Sequence, residues 1–179
     1  MTRRRIPIIT GDATLDSPWF SNHWELRQGE HLVADIRRIA RTYVSTADLG
    51  KLGRLVLEPT GRGTVHAIDE FGAEVGRITR RSWMGRHWEI AGNEFNYDLY
   101  SDHRPRRWHF SIANAPMAQV SGSMLSYNHV TVHSALAIPV PAVLLAWHVI
   151  ARPWEAANEP RHLLPGVTDL DDAAQPGMR

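Results

Sequence analysis

Cysteine is absent from the 179-residue chain. There is therefore no disulfide framework, no thiolate nucleophile and no cysteine-based zinc or iron–sulfur site, while the redox compartment stays open. Lysine is almost absent as well: Lys51 stands alone, and nearly all the positive charge is arginine. The formal net charge is only +1, which argues against a protein that coats nucleic acid non-specifically and makes charge a local question. With 43% hydrophobic and 22% charged residues, disorder throughout and a collagen-like chain are excluded, and one globular domain with a sizeable core is expected.

Familiar catalytic motifs are also missing. Ser121-Gly-Ser123 lacks the Gly-x-Ser-x-Gly elbow, and no His-Glu-x-x-His zinc motif occurs. Gly61-Arg-Gly63 lacks the rest of a phosphate loop and links two strands, so no helix N-terminus follows to cradle phosphate. Glu58, Asp69 and Glu70 are candidate paired carboxylates, but their turn positions explain them more simply. No enzyme activity, cofactor or metal is expected.

Long apolar runs are scarce. Arg3, Arg4 and Arg5 are followed only by Ile6, Pro7, Ile8 and Ile9, too few for a signal-peptide core. Beyond Pro153, Glu155, Glu159, Asp169, Asp171 and Asp172 outweigh Arg161 and Arg179 among Pro, Ala and Gly, the composition of a disordered acidic tail. The one long stretch is Ala135 to Ala151, cut at its front by Pro139 and Pro141. From Pro141 to Trp154 it is apolar on every face, as in a helix surrounded by protein or by lipid. Length favours protein, because Pro141 to Ala151 rises only about 16 Å, roughly half a hydrocarbon core.

A repeat of 42 residues runs through the rest of the chain. It aligns Leu26, Ile68 and Phe110; Val33, Val75 and Met117; Ala34, Gly76 and Ala118; and Ile36, Ile78 and Val120. Two-way matches add Trp24 with Trp108, Trp88 with Val130, Ile90 with Val132, Leu55 with Tyr97 and Leu57 with Leu99. Within each unit apolar residues alternate, as in Trp108, Phe110 and Ile112 or Val130 and Val132, the mark of half-buried strands. Turn signals such as Thr60-Gly-Arg-Gly63, Ala91-Gly-Asn93 and Ala113-Asn-Ala-Pro116 separate them.

Two units of four strands, a third of three, and a possible strand at Ile6 to Thr10 make eleven or twelve. So many amphipathic strands need a common interior, and closure removes exposed edges. The expected fold is all-β with one helix: a closed antiparallel barrel of roughly twelve strands threaded by the C-terminal hydrophobic helix. Ala34, Gly76 and Ala118 should face inward where that helix passes closely. The division is an N-terminal arm at 1–21, a barrel at 22–154 with its central helix at 141–152, and the acidic tail at 155–179.

The segment Ile68-Asp-Glu-Phe-Gly-Ala-Glu-Val-Gly-Arg-Ile78, the strand Arg86-His-Trp-Glu-Ile90, the third unit and the closing apolar helix resemble the tubby C-terminal-like superfamily. That group includes the phospholipid scramblases and the LURP-one-related proteins. The resemblance covers roughly Trp24 to Trp154 and implies a twelve-stranded barrel around a C-terminal helix. It also implies an association with phosphoinositide binding, lipid movement or regulation. One departure is clear: Ala151-Arg-Pro-Trp-Glu155 offers one carboxylate beside the helix, where a hard-cation site needs several oxygens, so calcium-driven scrambling is not expected.

Arginine supplies the main candidate site. Arg77, Arg80, Arg81, Arg86, Arg104, Arg106 and Arg107 face only Glu89, Glu94, Asp98 and Asp102 in the same stretch, a local balance of +3. Strand parity sends Arg77 and Arg107 outward and puts the others at strand ends or turns, with the Arg80 and Arg104 turns on neighbouring strands. The planar guanidinium fork suits phosphate oxygens, so an anionic headgroup site and a solvated outer face are the two readings. Trp83, in the turn Arg80-Arg-Ser-Trp-Met-Gly85, either dips with Met84 into a membrane interface or folds back over the barrel end. Trp24, Trp88, Trp108, Trp147 and Trp154 fall mostly on core parity.

Ten histidines raise the question of a metal. His129 and His133 share a strand face but lie about 13 Å apart, too far to share one ion. His66 has inward parity and His148 lies in the apolar helix, which makes them core or barrel-mouth residues. The expected function is a non-enzymatic module binding anionic phospholipid or phosphoinositide headgroups, cytoplasmic or at a membrane periphery. The alternatives are a protein-interaction or regulatory scaffold without lipid affinity and a phospholipid scramblase. No nucleic-acid partner is expected.

Overall fold

Alternating burial along each strand is what closes this chain on itself. The computed structural model describes residues 6–18, 21–39, 42–60, 63–103, 106–123 and 128–158, with side chains to Ala151 in the last segment. Among them, β1 (Ile8–Asp16), β2 (His23–Gln28), β3 (His31–Arg38), β4 (Ser45–Asp48), β5 (Arg54–Thr60) and β6 (Thr64–Asp69) are followed by β7 (Glu74–Arg80), β8 (His87–Gly92), β9 (Asn96–Ser101), β10 (Arg107–Ile112), β11 (Ala115–Gly122) and β12 (His129–Pro139). Each pairs antiparallel with its sequence neighbour, and β1 closes the barrel against β12, with Ile9 opposite Ile138 and Leu15 opposite Val130. The fold is therefore the closed twelve-stranded barrel expected from the repeat.

The helix α1 (Val140–Asn158) follows β12 directly and occupies the interior. Val140, Ala142, Val143, Leu144, Leu145, Ala146, Trp147, His148, Ile150 and Ala151 are all buried, and they meet inward side chains such as Trp24, Leu57, Ile78, Ile90, Leu99 and Phe110. An all-round apolar helix is thus satisfied by protein on every side. It starts one residue before Pro141 and continues past residue 152 to Asn158, four residues into the stretch assigned to the tail. Residues 159–179, the remainder of that stretch, lie outside the described residues.

Two sequence readings need correction. The strand β1 covers Ile8–Asp16 rather than Ile6–Thr10, and it is a stave of the barrel rather than part of an arm at 1–21. Its Ile9, Ala13 and Leu15 are buried, so it is held by burial as well as by pairing. The second correction concerns β6. The hairpins β2–β3, β6–β7 and β10–β11 each carry a bulge that skips the aligned residues Val33, Val75 and Met117. Leu26 pairs with Ala34 and Phe110 with Ala118, but in the middle unit Ala67, not Ile68, pairs with Gly76. The β6–β7 turn is one residue longer, and a one-residue shift turns every side chain to the other face. Val65 and Ala67 therefore point inward, and His66 points outward to hydrogen-bond Glu74 at 2.7 Å.

The small residues at the bulges do lie against the interior. Ala34 and Ala118 are buried, and a Cβ on Gly76 would meet Phe95 Cζ at 2.9 Å and Leu145 Cδ1 at 3.5 Å. Across the same pairing, a Cβ on Gly92 would lie 2.4 Å from Phe95 Cζ and 2.8 Å from the Val75 carbonyl oxygen. Because backbone cannot swing away, Gly92→Ala is expected to cost about 1–3 kcal/mol of stability by overpacking. Denaturant unfolding checks this, and an unchanged midpoint would refute the close approach. Burial of Tyr97 beside Phe95 and Phe110 has a different result, raising its phenol pKa through desolvation.

Candidate functional site

Up-and-down pairing makes each barrel end a set of alternate turns. One end gathers the connections after β1, β3, β5, β7, β9 and β11, together with the exit of α1. At this end stand Arg37 and Arg38 of β3, Arg80 and Arg81 after β7, Arg86 before β8, and Arg106 and Arg107 at the start of β10, against Asp16 closing β1 and Asp102 after β9. The opposite end carries Glu30, Asp48, Asp69, Glu70, Glu74 and Glu94 in its turns and strand ends, against Arg27, Lys51 and Arg54. The barrel is therefore electrically polarised along its axis, a property no single segment displays.

The β7–β8 and β9–β10 turns adjoin, as the repeat implied: the Ser101 amide donates to the Arg86 carbonyl at 2.9 Å. The first turn is tightly built. Ser82 Oγ accepts the amides of Arg86 and His87 at 2.9 and 3.0 Å, and Trp88 Nε1 donates to the Gly85 carbonyl at 2.8 Å. A side-chain acceptor inside the turn replaces the ladder bonds that end there. Its tip presents Trp83 at 86% exposure and Met84 at 59%, so the indole projects outward instead of covering the barrel end. Farther round the rim Tyr43 and Ile39 are also exposed.

The arginines differ in what they do. Arg81 Nε donates to Glu89 at 2.6 Å, and Arg106 donates to the Ser123 carbonyl while holding a positive φ of 60°. Arg80 and Arg86 are exposed, and with Arg107 they form no ion pair among the described residues. Arg77 lies mid-strand, 3.3 Å from Glu74, and does not join the rim. Arg104 falls outside the described residues. Sequence reasoning passed over Arg37, which is 73% exposed beside Asp35, and Arg38, whose guanidinium sits 4.6 Å from the Trp147 ring centroid. The repeat itself held the signal, since Arg38 is the 42-residue equivalent of Arg80.

The remaining candidates are placed plainly. Asp69 accepts the Phe71 and Ala73 amides at 2.9 Å each, shaping the β6–β7 turn. Glu70 lines an open depression of about 270 Å³ with Asp48, Gly50, Gly53 and Arg54 at the acidic end. His129 and His133 each face a separate partner, Asp16 and Asp12. His148 is buried with its Nδ1 3.1 Å from Ser45 Oγ. Among the described residues no three His, Asp or Glu side chains gather as a metal site, and no helix is long and apolar enough to cross a membrane.

No family model and no curated protein matches the chain. Among solved structures it is similar to an X-ray structure of a protein from Arabidopsis thaliana, at 10% identity and a TM-score of 0.32, with 81% of this chain and 92% of that one covered.

Proposed function

We propose that the protein is a non-enzymatic, tubby-like module that sets its basic rim on an anionic phospholipid surface. The observation that carries the reading is the rim itself: Arg80, Arg81, Arg86, Arg106 and Arg107 on two adjoining turns, with Trp83 projecting between them and the carboxylate turns at the far end. Guanidinium groups suit phosphate oxygens, and an indole settles at the headgroup level, where one edge is wet and the other apolar. The axial polarity orients the barrel end-on, acidic turns away from the membrane. Phosphoinositides are one source of such headgroups, and the sequence resemblance agrees with that class. The scrambling alternative would require α1 to leave an interior in which its side chains are already buried, and so is not favoured.

Co-sedimentation with vesicles tests the reading. Capture by phosphatidylglycerol-containing vesicles and not by phosphatidylcholine alone is expected, falling several-fold between about 0.05 and 0.3 M salt as the Debye length shortens. Salt-insensitive capture, or none, would move the function to a protein-interaction scaffold.

A further inference from the structure

The basic rim carries a second set of side chains that the headgroup reading does not use. His23 opens β2, His87 opens β8, His129 opens β12, His103 lies in the β9–β10 turn, and His109 is the third residue of β10. Each lies against a carboxylate: His23 Nε2 is 3.0 Å from Asp35, His87 Nε2 2.8 Å from Asp98, and His109 Nε2 3.3 Å from Asp102, which also contacts His103. His129 contacts Asp16 across the β1–β12 seam.

We propose that these histidine–carboxylate pairs make the rim a proton-gated anion-binding surface, held weak near neutral pH and strengthened by mild acid; this rests on the phospholipid reading above. Histidine is the side chain that changes charge between about pH 5 and 8. While the imidazole is neutral, each carboxylate leaves a negative charge among the arginines; when the imidazole is protonated, the charge of its pair rises by one. The surroundings agree in sign. His23 faces Arg37 and Asp35 across β3, with Glu25 on its own strand paired to Arg27. His87 stacks on Tyr100 of β9 with ring centroids 4.2 Å apart, and on the β7 side meets Arg81, itself engaged with Glu89. His109 sits between Tyr100 and Gln119, with Arg107 two residues before it. His103 shares its turn with Arg106, and the His129 carbonyl accepts the Ser123 amide from the end of β11. Acid therefore offsets the negative charges of a rim whose arginine charges are permanent.

The probe is phosphatidylglycerol vesicles, whose headgroups stay anionic in mild acid, with phosphatidylcholine vesicles beside them. A cation near an anionic surface contributes roughly fivefold in affinity, so partial protonation of the set predicts capture about tenfold tighter at pH 5.5 than at pH 7.5. The variant H23Q/H87Q/H109Q/H129Q should lose most of that difference while its circular dichroism stays unchanged. Should it not fold, Asp102→Asn offers an independent reading, binding more tightly than the parent at pH 7.5. Capture at both pH values without the increase would overturn the gate alone. No capture at either pH overturns both proposals, and an equal increase on phosphatidylcholine overturns the gate by assigning the effect to exposed apolar surface.

Discussion

Trp147→Ala is expected to remove about 3–5 kcal/mol of folding stability, the range for truncating a buried aromatic side chain. Trp147 is 1% exposed, meets Trp24 edge-on with centroids 5.5 Å apart, and lies under the Arg38 guanidinium. Truncation loses the dispersion contacts, leaves a cavity that a closed sheet cannot collapse to fill, and strips the partly desolvated Arg38 of a cation–π contact that contributes about 0.5–2 kcal/mol. Trp147→Phe should recover much of the loss, because it keeps an aromatic face beneath the guanidinium. Urea unfolding measures both variants. A cost below about 1 kcal/mol for the alanine variant would mean that α1 does not sit in the core, and would reopen the scrambling alternative.

The second large effect is on binding. The triple variant R80A/R81A/R86A is expected to weaken capture by anionic vesicles by about 30- to 150-fold, since each cation near such a surface contributes roughly 1 kcal/mol. Arg81 contributes least of the three, because it already neutralises Glu89, while Arg80 and Arg86 are free of ion pairs among the described residues. Stability should hardly change, as exposed pairs such as Arg81–Glu89 add little. Arg77→Ala is the internal control: it lies mid-strand beside Glu74 and should leave capture within about twofold of the parent if the rim is what touches the membrane. Equal losses from Arg77→Ala and from the rim variant would replace end-on docking with diffuse attraction to the barrel wall.

How far the sequence could be read depended on whether the signal was local. Period-two alternation and the 42-residue repeat identified the strands, and the conjunction of an apolar helix with a hollow barrel put α1 inside. The Arg80 and Arg104 turns could be set side by side from repeat equivalence alone. The errors have two separate causes. A single extra residue in the β6–β7 turn flips the facing of β6, so Ile68 was aligned where Ala67 stands and His66 was turned inward. Strand β1 was underestimated because its central residues, Gly11, Asp12 and Thr14, carry little apolar alternation; its place comes from pairing with β12 more than a hundred residues away.

The candidate site was legible only as composition. Arginine enrichment over 77–107 was visible, but Arg77 belongs to the wall while Arg37 and Arg38, far outside that window, belong to the same end as Arg80. The histidines looked unrelated because each carboxylate partner except Asp102 lies eleven or more residues away in sequence. By itself the sequence determined the strand periodicity, the repeat and a helix that had to be enclosed, since burial periodicity is written along the chain. Only the tertiary structure decided the charge polarity of the barrel, the pairing of histidine with carboxylate and the outward indole, because which turns share an end depends on the register and closure of all the strands together.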